Sequence, residues 1–203
     1  MYILLKTLFM KKIFLFTFCF VMMGVFTTSA QRKVLFTPKV GINAANITNT
    51  QGDWKSGINL GLSVEWLIMP KIGLESGLYY SEYGTKNIDI PSSNDKQMVN
   101  LGYLQIPIVA KYYLFEGFNI FGGPQVSYKL NEKVTPIYTN IAYNKDFSLN
   151  GLVGLGYQFD YGLMFSANYI LGVTSIGQPI YATDHNTYNR RNHACQLNIG
   201  WRF

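Results

Sequence analysis

The chain ends A-C-Q-L-N-I-G-W-R-F, residues 194–203, and this stretch decides how the rest is read. Cys195, Leu197, Ile199, Trp201 and Phe203 alternate with Ala194, Gln196, Asn198, Gly200 and Arg202. A strand turns successive side chains to opposite faces, so one face here is apolar and aromatic and the other small or polar. Strict alternation that runs into a terminal Phe is the pattern expected of the strand that closes a membrane β-barrel.

Working outward, seven upstream segments alternate in the same way: 36–46, 55–67, 72–84, 99–114, 118–130, 147–159 and 163–175. The clearest sets Ile58, Leu60, Leu62, Val64 and Trp66 against Gly57, Asn59, Gly61, Ser63 and Glu65. Short turns at 69–71, 115–117 and 160–162 separate some segments, and longer polar stretches separate the others, including 85–98, 131–146 and 176–191. Short and long connections in alternation predict an all-β fold, an eight-stranded antiparallel transmembrane β-barrel with short periplasmic turns and four long extracellular loops. Both termini then fall on the periplasmic side. Pro107 lies inside the fourth segment, where it removes a ladder donor, and predicts a bulge or a locally broken pair.

Residues 1–30 read as a secretory signal peptide, leaving 31–203 as one barrel domain. Lys11 and Lys12 supply the positive region, 13–26 is apolar, and Thr28-Ser29-Ala30 offers small residues for cleavage. Met10 is as natural a start as Met1. Removing Lys6, Lys11 and Lys12, with no acid among them, lowers the formal charge from +6 to +3. The remaining cations are scattered except Arg190-Arg191, so nucleic acid is not an expected partner. Cys19 leaves with the leader, and Cys195 alone can form neither an intramolecular disulfide nor a thiolate metal site. On the apolar face of the last strand it reads as packing.

The apolar face is expected to point outward. Charged residues are 14 % of the chain, low for a soluble surface, and aromatics are 16 %. Trp66, Tyr112, Phe118, Tyr157, Phe159, Phe165, Trp201 and Phe203 fall near the short-turn ends of their strands, with Tyr80, Tyr128 and Tyr169 further along, as two interfacial girdles require. An eight-stranded lumen is just wide enough for side chains to fill. Lys39, Glu65, Glu75, Lys111 and Arg202 are expected to face inward near the periplasmic rim as an ionic cluster, because buried charges need partners. The cluster reads either as a structural plug or as a gate or proton path, and the plug is favoured.

Six pieces carry a family resemblance: K-V-G-I-N-A-A-N (39–46), G-L-E-S-G-L-Y-Y-S-E-Y-G-T-K (73–86), L-Q-I-P-I-V-A-K-Y-Y (104–113), G-F-N-I-F-G-G-P-Q-V-S-Y (117–128), G-L-V-G-L-G-Y-Q-F (151–159) and the tail 196–203. Together they resemble the PorT-like outer-membrane β-barrel proteins, a porin-type family common in Bacteroidetes. The resemblance implies an outer-membrane location and an eight-stranded barrel, with a link to protein secretion in the founding relative. It implies no reaction and no binding residue. It also implies that Trp201 and Phe203 serve as the assembly signal read by the barrel-insertion machinery.

Candidate chemistry is sparse. His185 and His193, with Asp184 or Ser175, could compose a surface hydrolase dyad. As a metal pair they lack close spacing and further ligands. Catalytic, cofactor and metal sites are therefore expected to be absent, and the glycine-rich strand stretches precede no helix that would make a phosphate loop. The expected partners are outer-membrane lipid and lipopolysaccharide, whose phosphates Arg190, Arg191, Lys86, Lys96, Lys133 and Lys145 could meet, together with envelope proteins. The function expected is a non-enzymatic structural, adhesive or partner-binding role of the long loops. A narrow channel for small solutes and a lipid-modifying enzyme are the alternatives.

Overall fold

The computed structural model describes residues 34–48, 52–89, 96–135, 145–176 and 190–203. The expected leader, His185 and Asp184 lie outside them. Eight antiparallel strands follow one another: β1 (Val34–Ile47), β2 (Asp53–Met69), β3 (Ile72–Asp89), β4 (Lys96–Phe115), β5 (Phe118–Thr135), β6 (Phe147–Gln158), β7 (Leu163–Gly172) and β8 (Asn192–Trp201). Each pairs with its sequence neighbours, and β8 pairs with β1, so the sheet is a closed barrel. Closure continues to the last residue, where Phe203 N donates to Phe36 O at 2.9 Å.

The registers fix the barrel's dimensions. From Val34 the ladders lead through Trp66, Leu74, Ala110, Gly122, Val153, Tyr169 and Cys195 and return to β1 at Ala44, ten residues further along. With a rise of about 3.3 Å per residue and strands about 4.8 Å apart, that stagger tilts the strands by about 40° and sets a backbone radius of about 8 Å.

The apolar faces point outward. Val40, Ile42, Ile58, Leu60, Leu62, Ile106, Ile108, Val153, Leu155 and Leu197 are all exposed, and together they ring the wall. Only hydrocarbon can cover a belt of this kind, because water would leave it unshielded. Aromatic contacts mark its edges. Phe159 lies 4.8 Å from Tyr157 and 5.2 Å from Tyr161, and Tyr161 approaches Trp201, at the short-turn end. Tyr128 and Phe147 meet at 4.8 Å towards the other end. On β5 the two levels, Phe118 and Tyr128, are ten residues apart. At the inferred tilt that is about 25 Å, the height of a membrane barrel's apolar band.

Above this belt the structure departs from the sequence expectation. The stretch 85–98 reads as a polar loop, yet β3 continues to Asp89 and β4 begins at Lys96; β5 likewise continues to Thr135. The reason is an inversion of the alternation. Within the belt β4 exposes Ile106, Ile108 and Tyr112, whereas further along Val99, Leu101 and Tyr103 are fully buried inside. Lys96 turns to the outside above the belt. The same swap occurs on β3, where Tyr83 and Ile88 point inward, and on β1, where Ala45 and Ile47 do. These residues gather with Ile170, Ile176 and Ala194 into one apolar cluster that caps the lumen at the long-loop end. Once a strand leaves lipid, its outside must be wettable and its inside becomes the dry side. The extensions are therefore polar in composition yet still paired.

Pro107 produces a gap and no bulge. The β3–β4 pairing passes from Ser76↔Ile108 to Tyr79↔Gln105 without a register shift. Ser76 Oγ donates to Pro107 O at 2.8 Å beside the break.

The inversion is testable by paired substitutions. Leu62→Lys, in the belt, is expected to cost about 2–4 kcal/mol of stability. Met98→Lys, exposed above it, is expected to stay within about 0.5 kcal/mol. Urea unfolding in phospholipid vesicles measures both, and equal losses would refute the assigned membrane boundary.

Candidate functional site

The lumen brings buried charges together. Its geometry begins with a conflict: Glu65 on β2 and Glu75 on β3 are directly opposed partners in the ladder, both facing inward and both buried. Like charges so placed repel. Lys111, on β4, resolves the conflict by reaching between them, with Nζ 2.9 Å from Glu65 Oε2 and 2.5 Å from Glu75 Oε2. Lys39, on β1, pairs with the other oxygen of Glu75, and the side chains of both are less than a tenth exposed. Tyr113 donates its hydroxyl to Glu65 Oε1 at 2.6 Å, and Tyr79 OH lies 3.5 Å from Glu75 Oε1. Two ammonium groups and two carboxylates thus neutralise one another, and both oxygens of each carboxylate are engaged. A buried ionic group is tolerated on those terms.

Gly73 leaves the room this requires. A Cβ there would sit 2.4 Å from Glu65 Oε1, inside the carboxylate's own volume.

Four of the five cluster residues read from the sequence therefore meet. Arg202 does not join them: it has no ion pair among the described residues. Gly200 is the ladder partner of Lys39, so Arg202 lies two residues nearer the short-turn end than Lys39, while Glu65 pairs with Leu35, further still toward that end. Its backbone amide instead bonds Gly162 O at 2.7 Å. Trp201 and Phe203 are exposed on the outer face, at the short-turn edge of the belt. Tyr79 and Tyr113 belong to the cluster and were missed. The available signal was their parity, since Tyr113 shares the inward face with Lys111 and Tyr79 with Glu75.

Above the cluster amides and hydroxyls share the lumen with Val109, Phe121 and Leu152. Ser81 Oγ donates to Gln105 Oε1 at 2.8 Å, and Asn150 Nδ2 to Ser127 Oγ at 2.9 Å. Above these sits the apolar cap, where the rings of Tyr83 and Tyr103 lie 5.7 Å apart. The lumen thus runs from ionic floor through polar middle to dry cap.

The other candidates lie outside the lumen. His193 is half-buried, with Nδ1 3.3 Å from the Tyr169 hydroxyl and the two rings stacked 6.2 Å apart. Among the described residues no group of three or more His, Cys, Asp and Glu could hold a metal ion. Cys195 is exposed on the belt. Lys86, Lys96, Lys133, Lys145 and Arg191 are exposed at the long-loop end. Arg190 and Arg191 tie their segment to its neighbours through the backbone, Arg190 O accepting from Ile176 N at 2.8 Å and Arg191 O from Thr48 N at 2.9 Å.

Residues 27–178 match the family model described as outer membrane protein beta-barrel domain. No curated protein matches the chain. Among solved structures it is similar to Ail, the attachment invasion locus protein of Yersinia pestis, at 12% identity and a TM-score of 0.48, covering 84% of this chain and 99% of that one. It is similar to Neisserial surface protein A at 15% identity and a TM-score of 0.49, covering 84% and 97%. OprG from Pseudomonas aeruginosa gives 13% identity, coverage of 83% and 95%, and a TM-score of 0.49.

Removing the shared cation should separate the cluster from its neighbour. Lys111→Met leaves two opposed, buried carboxylates short of a partner and is expected to cost about 3–5 kcal/mol. Arg202→Gln is expected to cost under about 1 kcal/mol. Equilibrium unfolding in vesicles compares them, and a Lys111→Met variant as stable as the parent would contradict the ionic floor.

Proposed function

The chain belongs to the outer membrane protein β-barrel domain family, and from that premise we propose that it is a non-enzymatic, non-conducting protein that acts by holding partners at its long-loop end. The observation that carries this reading is the filled lumen. The ion pairs of Lys39, Glu65, Glu75 and Lys111 occupy one half, and the apolar cluster around Tyr83, Leu101 and Ile176 closes the other. In this reading the axis carries no solute, and the surfaces left for work are those outside the belt.

Of these, the long-loop end has the area. β3, β4 and β5 continue past the aromatic level as a paired sheet, while among the described residues the strands are joined at the opposite end by tight turns. The exposed Lys86, Lys96, Lys133 and Arg191 suit acidic partners, either the phosphates of lipopolysaccharide or an acidic patch on an envelope protein. In this reading the short turns and both termini are periplasmic, the long-loop face is extracellular, and Trp201 and Phe203 stand where insertion machinery would meet the closing strand. Structural and adhesive roles are two uses of the same face.

Planar-bilayer recordings of the purified protein test the closed lumen. No large, steady openings are expected, and their appearance would overturn the reading in favour of a narrow channel. Photocrosslinkers at Lys96 or Lys133 in the native envelope are expected to capture lipopolysaccharide or a defined protein, while one at Glu116 in a short turn is not. Equal capture from both ends would remove the case for the long-loop face.

A further inference from the structure

Where β2 enters the barrel at the long-loop end, the regular ladder is disturbed twice. The register of β2 against β3 shifts between Trp54 and Asn59, and that of β3 against β4 shifts between Thr85 and Ile88. Irregularities of this kind re-aim side chains. Within the second lies Asn87, whose φ of 56° is the single positive value at a non-glycine among the described residues. Asparagine tolerates the left-handed region, and there its amide meets β2: Asn87 Nδ2 donates to Asp53 Oδ2 at 2.8 Å. Two further bonds fix the same segment, Thr85 Oγ1 to Asp53 O at 3.0 Å and Asn46 Nδ2 to Gly52 O at 3.0 Å. Residues 52–53 are thus tied to β1 and β3 at once.

This anchoring presents Trp54, which is 44% exposed. It stands clear of the lipid belt. On β2 the apolar row ends at Ile58, an exposed Ser56 follows, and Trp54 comes four residues past Ile58. At the inferred tilt that is about 10 Å further from the hydrocarbon. Beside the ring are polar groups of a definite kind. Asp53 Oδ1 and Asn87 Oδ1 accept no hydrogen bond among the described residues, and Lys86, the ladder partner of Asp53, carries an exposed ammonium. Asp53 repels a small anion and Lys86 repels a metal cation, and neither ion would use the indole. A sugar ring uses every group. Its C–H face covers the indole, neighbouring hydroxyls donate to the two fixed acceptors, and a hydroxyl oxygen accepts from Lys86.

We infer that Asp53, Trp54, Lys86 and Asn87 form a binding site for a saccharide with vicinal hydroxyls at the β2–β3 rim. The inference rests on the partner-holding reading of the long-loop end and names a ligand class for it. The site is separate from Lys96 and Lys133, so crosslinking at those lysines can succeed while this site fails, and the reverse.

NMR of the 15N-labelled protein in phosphatidylcholine nanodiscs reads the Trp54 indole N–H, identified by its loss in Trp54→Phe. The probes are methyl glycosides of glucose, galactose and mannose, and the lipid-free core oligosaccharide of lipopolysaccharide. A saturable shift is expected with at least one of them, with affinity weakened about tenfold or more in Asp53→Ala. A response to core oligosaccharide alone supports the site and assigns its sugar to the surrounding membrane; a response to the free glycosides supports it and assigns the sugar to other glycans. No shift with any probe, or unchanged affinity in Asp53→Ala, would overturn the inference. Should Asp53→Ala fail to fold, Asn87→Gly keeps the left-handed backbone while deleting the amide, and unchanged binding there counts equally against the site. With Trp66→Phe and Trp201→Phe combined, chain-brominated lipid is expected to leave Trp54 fluorescence intact. Quenching would return Trp54 to the aromatic girdle and refute the site.

Discussion

A peptide group in hydrocarbon has no water to bond, so each N–H and C=O of a membrane-crossing strand must find another strand. Closure of β8 on β1 is what meets that demand for the whole sheet. The remaining features follow from it. A closed ring of eight strands staggered by ten residues has one radius and one tilt, and the radius decides how much side chain the lumen can hold. The lumen is accordingly packed, and Gly73 is small where Glu65 needs the space. The break at Pro107 is tolerated because the register is unchanged across it and Ser76 supplies a bond to the freed carbonyl.

The interior then faces a second constraint. Strand alternation puts Glu65 beside Glu75 on the same face of neighbouring strands, an arrangement stable only because Lys111 projects from the next strand into the space between them. Taking charges out of water is expensive, and a complete, neutral network offsets that cost where a partial one would not. This is a reason for the floor to be rigid. It also explains why the cluster includes two tyrosines, since they complete the hydrogen bonding of the carboxylates without adding charge.

Much of this was legible in the chain. Strict alternation gave the strands, the rhythm of short and long gaps gave their order, and inward parity placed Lys39, Glu65, Glu75 and Lys111 on one face. Arg202 forms no ion pair with the other four among the described residues, because parity reports the face a side chain shares and not the partner it reaches. The extensions of β3, β4 and β5 were hidden for a different reason. Their residues are polar on average, and a strand with one wet face and one short apolar row resembles a loop when composition alone is weighed. The informative signal in β4 was the shift of apolar residues from even positions at 104–112 to odd ones at 99–103.

That shift of parity also acts as a waterline. Below it the barrel is wetted by hydrocarbon and above it by water, and the crossing point is written into several strands at nearly the same height. Sliding the molecule downward would drown Lys96 and Glu82 in lipid; sliding it upward would leave bare Ile106 and Ile108 standing in water. Each displacement is opposed from both sides, so the protein floats at one draught. The reach of its exposed sheet beyond the membrane is therefore a fixed length, counted in residues along β3 to β5 rather than left to the flexibility of a loop.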